Sequence, residues 1–192
     1  MSLMVKTKWY KWLIVILCAA LSMLWLPVIN ATPASAAIKY GNVTIVDLKD
    51  YCHSKGYAGV TQAGNNAYGR RCVTQGGSRQ PVNMLGVCRS NYSYRAIDVL
   101  NNFYSPNPSA WQCWKTYKGE LGAVNLDKYC RSIGYARATL VGKDAYDWRC
   151  VTSSGRKAGI DMTKACRWQY KDPEAIDRVN NFYNPYSWRC WS

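Results

Sequence analysis

Few residues in this chain are equipped for catalysis. His53 is its only histidine. Nucleophilic catalysis through histidine needs a base held beside the nucleophile and oriented by a third group. His53 falls on a helix pattern and reads as a surface residue. Carboxylate acid–base chemistry usually needs two well-placed acids. Asp98 and Asp177 are the only acids that occupy the same place in both copies of an internal repeat. One acid per copy reads first as a helix cap or an arginine partner. A site built across both copies, or from the acids of the second copy, stays open. The chain contains no phosphate loop, dinucleotide fingerprint or nucleophile elbow. No catalytic residue is assigned and no cofactor is implied.

A metal centre is disfavoured too. No Cys-x-x-Cys pair exists, and the second copy has Arg131 in place of His53.

Binding chemistry is better represented. Beyond residue 36 the chain holds fourteen tyrosines and six tryptophans, against only Phe103 and Phe182. Tyr and Trp combine an apolar face with a polar handle. Their rings can stack on sugar C–H faces while Asn, Asp and Arg bond the hydroxyls. The same rings can also fill a small core. Trp111/Trp188, Trp114/Trp191, Tyr51/Tyr129, Tyr57/Tyr135 and Tyr68/Tyr146 recur in both copies and read as structural. Aromatics found in one copy only are the ligand candidates. Trp148 stands where Arg70 does, Trp168 where Ser90 does, and Tyr186 lies in an Asn-Pro-Tyr-Ser loop. Period-two alternation puts Trp148 on the strand face of Cys150, so it could instead cover a disulfide, with the Arg70 stem doing so in copy one. Arg71/Arg149 and Arg89/Arg167 recur beside cysteines. They form either an anion-binding stripe or a set of ring-stacking, acid-pairing structural residues. Arg70 joins them as a candidate.

The repeat organises these residues. Segments 46–92 and 124–170 align without a gap at an offset of 78, with 21 of 47 pairs identical. AIDVLNNFY (96–104) answers AIDRVNNFY (175–183), and WQCW (111–114) answers WRCW (188–191). Copy one carries Cys52, Cys72, Cys88 and Cys113; copy two carries Cys130, Cys150, Cys166 and Cys190. Four cysteines per copy imply two bridges per copy, because a module of ~70 residues rarely holds itself together by its core alone. Three pairings are possible within a copy; first-with-second and third-with-fourth is favoured.

Each copy is expected to be a small α+β, disulfide-stapled module of short helices and a β-hairpin. A first helix starts at Asp47 or Asn125 and stops at Gly56 or Gly134. Two strands follow. A second helix starts at Asn83 or Asp161 and buries Met84 or Met162. The AID…NNFY block reads as a third short helix, and W-x-C-W as a strand or extended tail. Copy one is taken as 46–114 and copy two as 124–192. Residues 37–45 then form a lead and 115–123 a linker.

The first 36 residues read as a secretory signal. Lys6, Lys8 and Lys11 precede an apolar run from Trp12 to Leu26, and Ala34-Ser35-Ala36 is a small-residue cleavage site. The alternative is an uncleaved anchor. Cys18 follows Leu17, too large a residue for a typical lipidation site. Export suits disulfides. The remaining chain has 22 basic and 11 acidic residues, a net charge of +11. Residues 38–118 carry +7, and the rest carries +4.

The expectation is a secreted, non-enzymatic tandem binding protein for an extracellular or cell-wall glycan. Rival readings are salt-sensitive attachment to an anionic cell-wall polymer or membrane surface, and a disulfide-rich inhibitor or protein-interaction module, with Ser105-Pro106-Asn107-Pro108 as a loop that could be presented to a protease. The last is a hydrolase of unknown type, which turnover lost on Asp177→Asn with the fold intact would favour. Nucleic acid is not an expected partner, and no membrane span is expected once the signal is cleaved.

Overall fold

A computed structural model describes residues 37–192. The expected signal segment, residues 1–36 with Cys18, lies outside the described residues. Within residues 38–115 the elements are β1 (Ile38–Asn42), α1 (Ile45–Ser54), β2 (Gly59–Gln62), β3 (Arg70–Val73), β4 (Arg79–Pro81), α2 (Met84–Asn91), β5 (Ala96–Leu100) and β6 (Trp111–Lys115). The same order follows in β7 (Glu120–Ala123), α3 (Leu126–Ser132), β8 (Arg137–Leu140), β9 (Trp148–Val151), β10 (Lys157–Gly159), α4 (Met162–Tyr170), β11 (Ile176–Val179) and β12 (Trp188–Trp191). The described residues are thus mixed α+β. Their strands form four antiparallel three-stranded sheets: β1-β6-β5, β2-β3-β4, β7-β12-β11 and β8-β9-β10.

Four disulfides tie this together: Cys52–Cys72, Cys88–Cys113, Cys130–Cys150 and Cys166–Cys190. This is the favoured pairing. Each bridge joins a helix to the middle strand of one sheet. The helix supplies its cysteine from its buried face, as where Leu48 and Cys52 sit one turn apart and both are inaccessible.

Several local expectations need correction. Thr44, not Asp47, caps α1. Asp47 sits at the third helical position and completes a capping box by accepting from Thr44 N at 2.7 Å. Asn125, Asn83 and Asp161 cap their helices as expected. Gly56 and Gly134 follow their helices at φ of +81° and +91°, where a side chain would be strained.

The AID block is no helix. Ala96–Leu100 and Ile176–Val179 are strands paired along their length with β6 and β12. A short apolar run cannot be told from a helix by period alone, and here the cysteine strand beside it captures the backbone. The lead and the linker are also structured. Residues 38–42 and 120–123 are the edge strands that complete the β6 and β12 sheets, and Lys115 still belongs to β6. The W-x-C-W segments are therefore central strands, not tails. The third strands β4 and β10 are additional to the expected hairpins.

The two halves belong to one compact unit. One buried cluster includes Leu48, Val87 and Trp111 from the first half and Leu126, Ala165 and Trp188 from the second. The seam lies where β5 packs against β11. There Phe103 and Phe182, the only phenylalanines in the chain, stack with centroids 3.3 Å apart and planes 3° apart. Tyr146 Oη donates to Leu100 O across the seam at 3.3 Å.

Candidate functional site

The recurring arginines sit where they can brace the backbone. Arg149 Nη1 donates to Tyr146 O at 2.6 Å and to Trp148 O at 2.8 Å, clamping the turn that leads into β9. Arg71 does the same to Tyr68 O and Arg70 O in the first half. Arg89 and Arg167 reach from α2 and α4 to the carbonyls of Ala96 and Ala175, at 3.4 and 3.1 Å. These carbonyls open β5 and β11. Each guanidinium thus has backbone acceptors, and Arg149 and Arg167 line one cleft.

Arg70 and Trp148 differ in type but share a task. Arg70 Nη2 donates to Pro106 O at 2.9 Å. Trp148 Nε1 donates to Pro185 O at 2.7 Å. Each latches the loop that precedes the central strand β6 or β12. Burial lowers the pKa of Arg70. A latch needs one N–H at the right reach, which both side chains provide.

Trp148 has further contacts. Its ring meets Tyr186 edge-on, with centroids 5.7 Å apart. Tyr186 is 69% exposed. Together they wall a groove of about 580 Å³, floored by Val124, Leu126 and Ala138 and rimmed by Asn125 and Asp127. Asp127 is already engaged, accepting from Ala138 N at 3.1 Å and pairing with Arg131. Asn125 also bounds a recess beside Trp168, Lys128 and Lys171. Trp168 leans edge-on against Tyr129, and the Lys171 ammonium lies 5.1 Å from its ring centre. Trp148, Tyr186 and Trp168 therefore collect around one stretch of chain, Val124 to Asp127, where β7 passes into α3.

The shared acids part company. Asp98 is 5% exposed and accepts from Arg178 Nε at 2.9 Å and Nη2 at 2.7 Å, both at Oδ1. This buried pair crosses the seam. Asp177 has no such partner; it accepts from the Thr163 hydroxyl. It lines a cleft of about 550 Å³ with Val99, Leu100, Trp148, Arg149 and Arg167. Burial raises its pKa, against the lowering effect of Thr163 and Arg167. Near the seam, burial and then Asp98 push the Tyr68 phenol up to about 12, and burial raises Tyr146 further.

His53 is exposed, and its Nε2 lies 3.1 Å from Ala58 O. The sequence reading passed over Tyr104 and Tyr183. They are 76% and 66% exposed, each edge-on to its own phenylalanine. The available signal was an aromatic recurring in both copies away from any cysteine.

Comparison with protein-family models, with curated proteins and with solved structures finds no match for this chain.

Proposed function

We propose that this chain is an exported, non-enzymatic binding protein made of two tandem copies of one module. The second copy carries a glycan-binding face. The observation that carries this reading is the convergence of Trp148, Tyr186 and Trp168 on Asn125. Their counterparts in the first copy are Arg70, Ser109 and Ser90. The groove's volume lies within the ~300–1,000 Å³ range usual for small-ligand sites. Its walls are flat rings and its rim is amide and carboxylate, with the ammonium groups of Lys128 and Lys171 in the recess that shares Asn125. That combination suits the alternating C–H faces and hydroxyls of a saccharide. Anionic-polymer attachment is less well supported, since Arg71, Arg149, Arg89 and Arg167 each spend donors on backbone carbonyls.

A glycan array and pull-downs with insoluble cell-wall polymers test the reading. Binding should survive moderate salt, unlike charge-led attachment. Tyr186→Ala and Trp168→Ala should each weaken binding; Tyr186→Ala should do so without changing the melting temperature much, because its ring is exposed, whereas Trp168 also packs on the core. No binding to any polymer, or binding that both variants retain in full, refutes it.

A further inference from the structure

The cleft at Asp177 has a counterpart in the first half, and the pair differ in one decisive residue. The smaller cavity, about 190 Å³, is lined by Tyr68, Arg70, Met84, Asp98, Trp111 and Arg178. The larger is lined by the residues at the matching positions: Tyr146, Trp148, Met162, Asp177, Trp188 and Val99. The last match runs across the seam. Asp98 and Asp177 are 79 positions apart, as are Val99 and Arg178. In the first cavity Arg178 reaches over from β11 and gives Asp98 two charge-assisted bonds. In the second the position that would return this contact is Val99. No guanidinium arrives from β5, and the space it would fill is open.

We infer that the Asp177 cleft is a binding site for a guanidinium group supplied from outside the chain, as on an arginine side chain. The molecule contains its own template for that complex in Asp98–Arg178. The cationic side chains at the Asp177 cleft are engaged elsewhere. Arg149 and Arg167 border the Asp177 cleft, with their donors turned to Tyr146 O, Trp148 O and Ala175 O. Arg71 and Arg89 make the equivalent bonds in the first half, where Arg70 and Arg178 are the cations lining the cavity and Asp98 holds the Arg178 guanidinium. Thr163 replaces Leu85 at the cleft wall and orients the carboxylate. A fork of N–H donors suits a carboxylate better than a point ammonium does. The cleft shares only Trp148 and Trp188 with the Tyr186 groove. It is thus a second site, independent of the glycan reading.

The test titrates the intact chain with Nα-acetyl-arginine methylamide, agmatine and the uncharged citrulline analogue. Binding is followed by the indole N–H resonances of Trp114, Trp148 and Trp188. Saturable binding of one equivalent is expected for the arginine probe, at least about tenfold tighter than for citrulline. Equal binding of agmatine points to a free small-molecule guanidine; preference for the methylamide points to arginine in a peptide. Either supports the assignment. Asp177→Asn and Val99→Arg should each abolish the difference between arginine and citrulline. Val99→Arg should also raise the melting temperature, and should not do so when Asp177 is already Asn, because the new arginine completes the missing pair. A Val99→Arg protein no more stable than wild type overturns the template argument. So does arginine binding that is absent at millimolar probe, or unchanged in both variants.

Discussion

At the residue scale, position matters less here than reach. Arg70 and Trp148 look like a divergent, function-bearing pair in the sequence, yet each donates one N–H to a proline carbonyl. Trp148→Phe keeps most of the ring and loses that bond. It should cost about 1 kcal/mol in urea denaturation, while Arg70→Trp should be nearly neutral because the latch survives. The acids are more informative. Asp172 is buried and pairs with Lys118 at 2.6 Å. Burial opposes its ionisation, but Lys118, Ser192 and the Glu174 N–H together hold its pKa below the ordinary 3.8. Its ion pair therefore stabilises the fold above that value, and the contribution disappears as pH falls through the depressed pKa. Asp177 behaves oppositely. Burial, and to a lesser degree Asp161, raise its pKa above 3.8, with Thr163 and Arg167 acting against them. Ionising it costs stability as pH rises through the raised pKa. Asp172→Asn should thus melt below wild type at neutral pH, and Asp177→Asn above it, its amide oxygen still accepting from Thr163. Both differences should shrink towards zero in acid. Melting curves across acid to neutral pH check the two slopes, and matching slopes would contradict the assignment.

At the element scale, one rule governs all four bridges: a helix cysteine meets the central strand of a three-stranded sheet. Sequence alone left three pairings per copy, with first-with-second and third-with-fourth favoured, and that is the pairing found. What spacing hid was the edge of each sheet. Residues 38–42 and 120–123 are short, carry glycine and look like connectors. They are strands only because β6 and β12 offer unpaired backbone, information that comes from sequence some 70 residues away. The AID block misled for the same reason. Its burial on both faces gives an apolar run without alternation, as expected of a strand covered by α2 on one side and the opposite half on the other. The aromatic face was half legible: Trp148, Trp168 and Tyr186 were marked by differing between copies, but nothing local showed that Asn125 would bring them together. The bridges make their own prediction. Replacing Cys88 and Cys113 together with Ala frees a 25-residue separation and should cost about 3 kcal/mol, mostly by relaxing the unfolded chain. Calorimetry of the double variant measures it. Loss of cooperativity with no fall in midpoint would show that the bridge only orders α2 locally.

At the scale of the whole molecule, the sequence invites two independent modules, and the seam argues against their independence. A ~70-residue unit buries too little surface to be secure by itself. Each half here exposes a large part of its core when the other is removed. Phe103 and Phe182 lose their stacking partner, and the phenol rings of Tyr68 and Tyr146 lose the opposing Phe182 or Leu100. Asp98 loses its Arg178 partner. An uncompensated buried charge typically costs about 3–5 kcal/mol, comparable to the ~5–15 kcal/mol stability of a whole domain. The intact 37–192 segment should therefore unfold in a single transition. Residues 37–118 and 119–192, made separately under oxidising conditions, should each melt far below it or fail to give a cooperative melt. Mixing them should restore stability in proportion to concentration. Phe182→Ala probes the same seam inside the intact chain and should cost about 3–5 kcal/mol, without splitting the transition unless the halves are separable. Two resolved transitions in the wild-type melt, or halves as stable apart as together, would mean that the stacked phenylalanines and the Asp98–Arg178 pair contribute nothing to cohesion. The open Asp177 cleft would then lie on a surface that comes and goes with the docking of one half on the other.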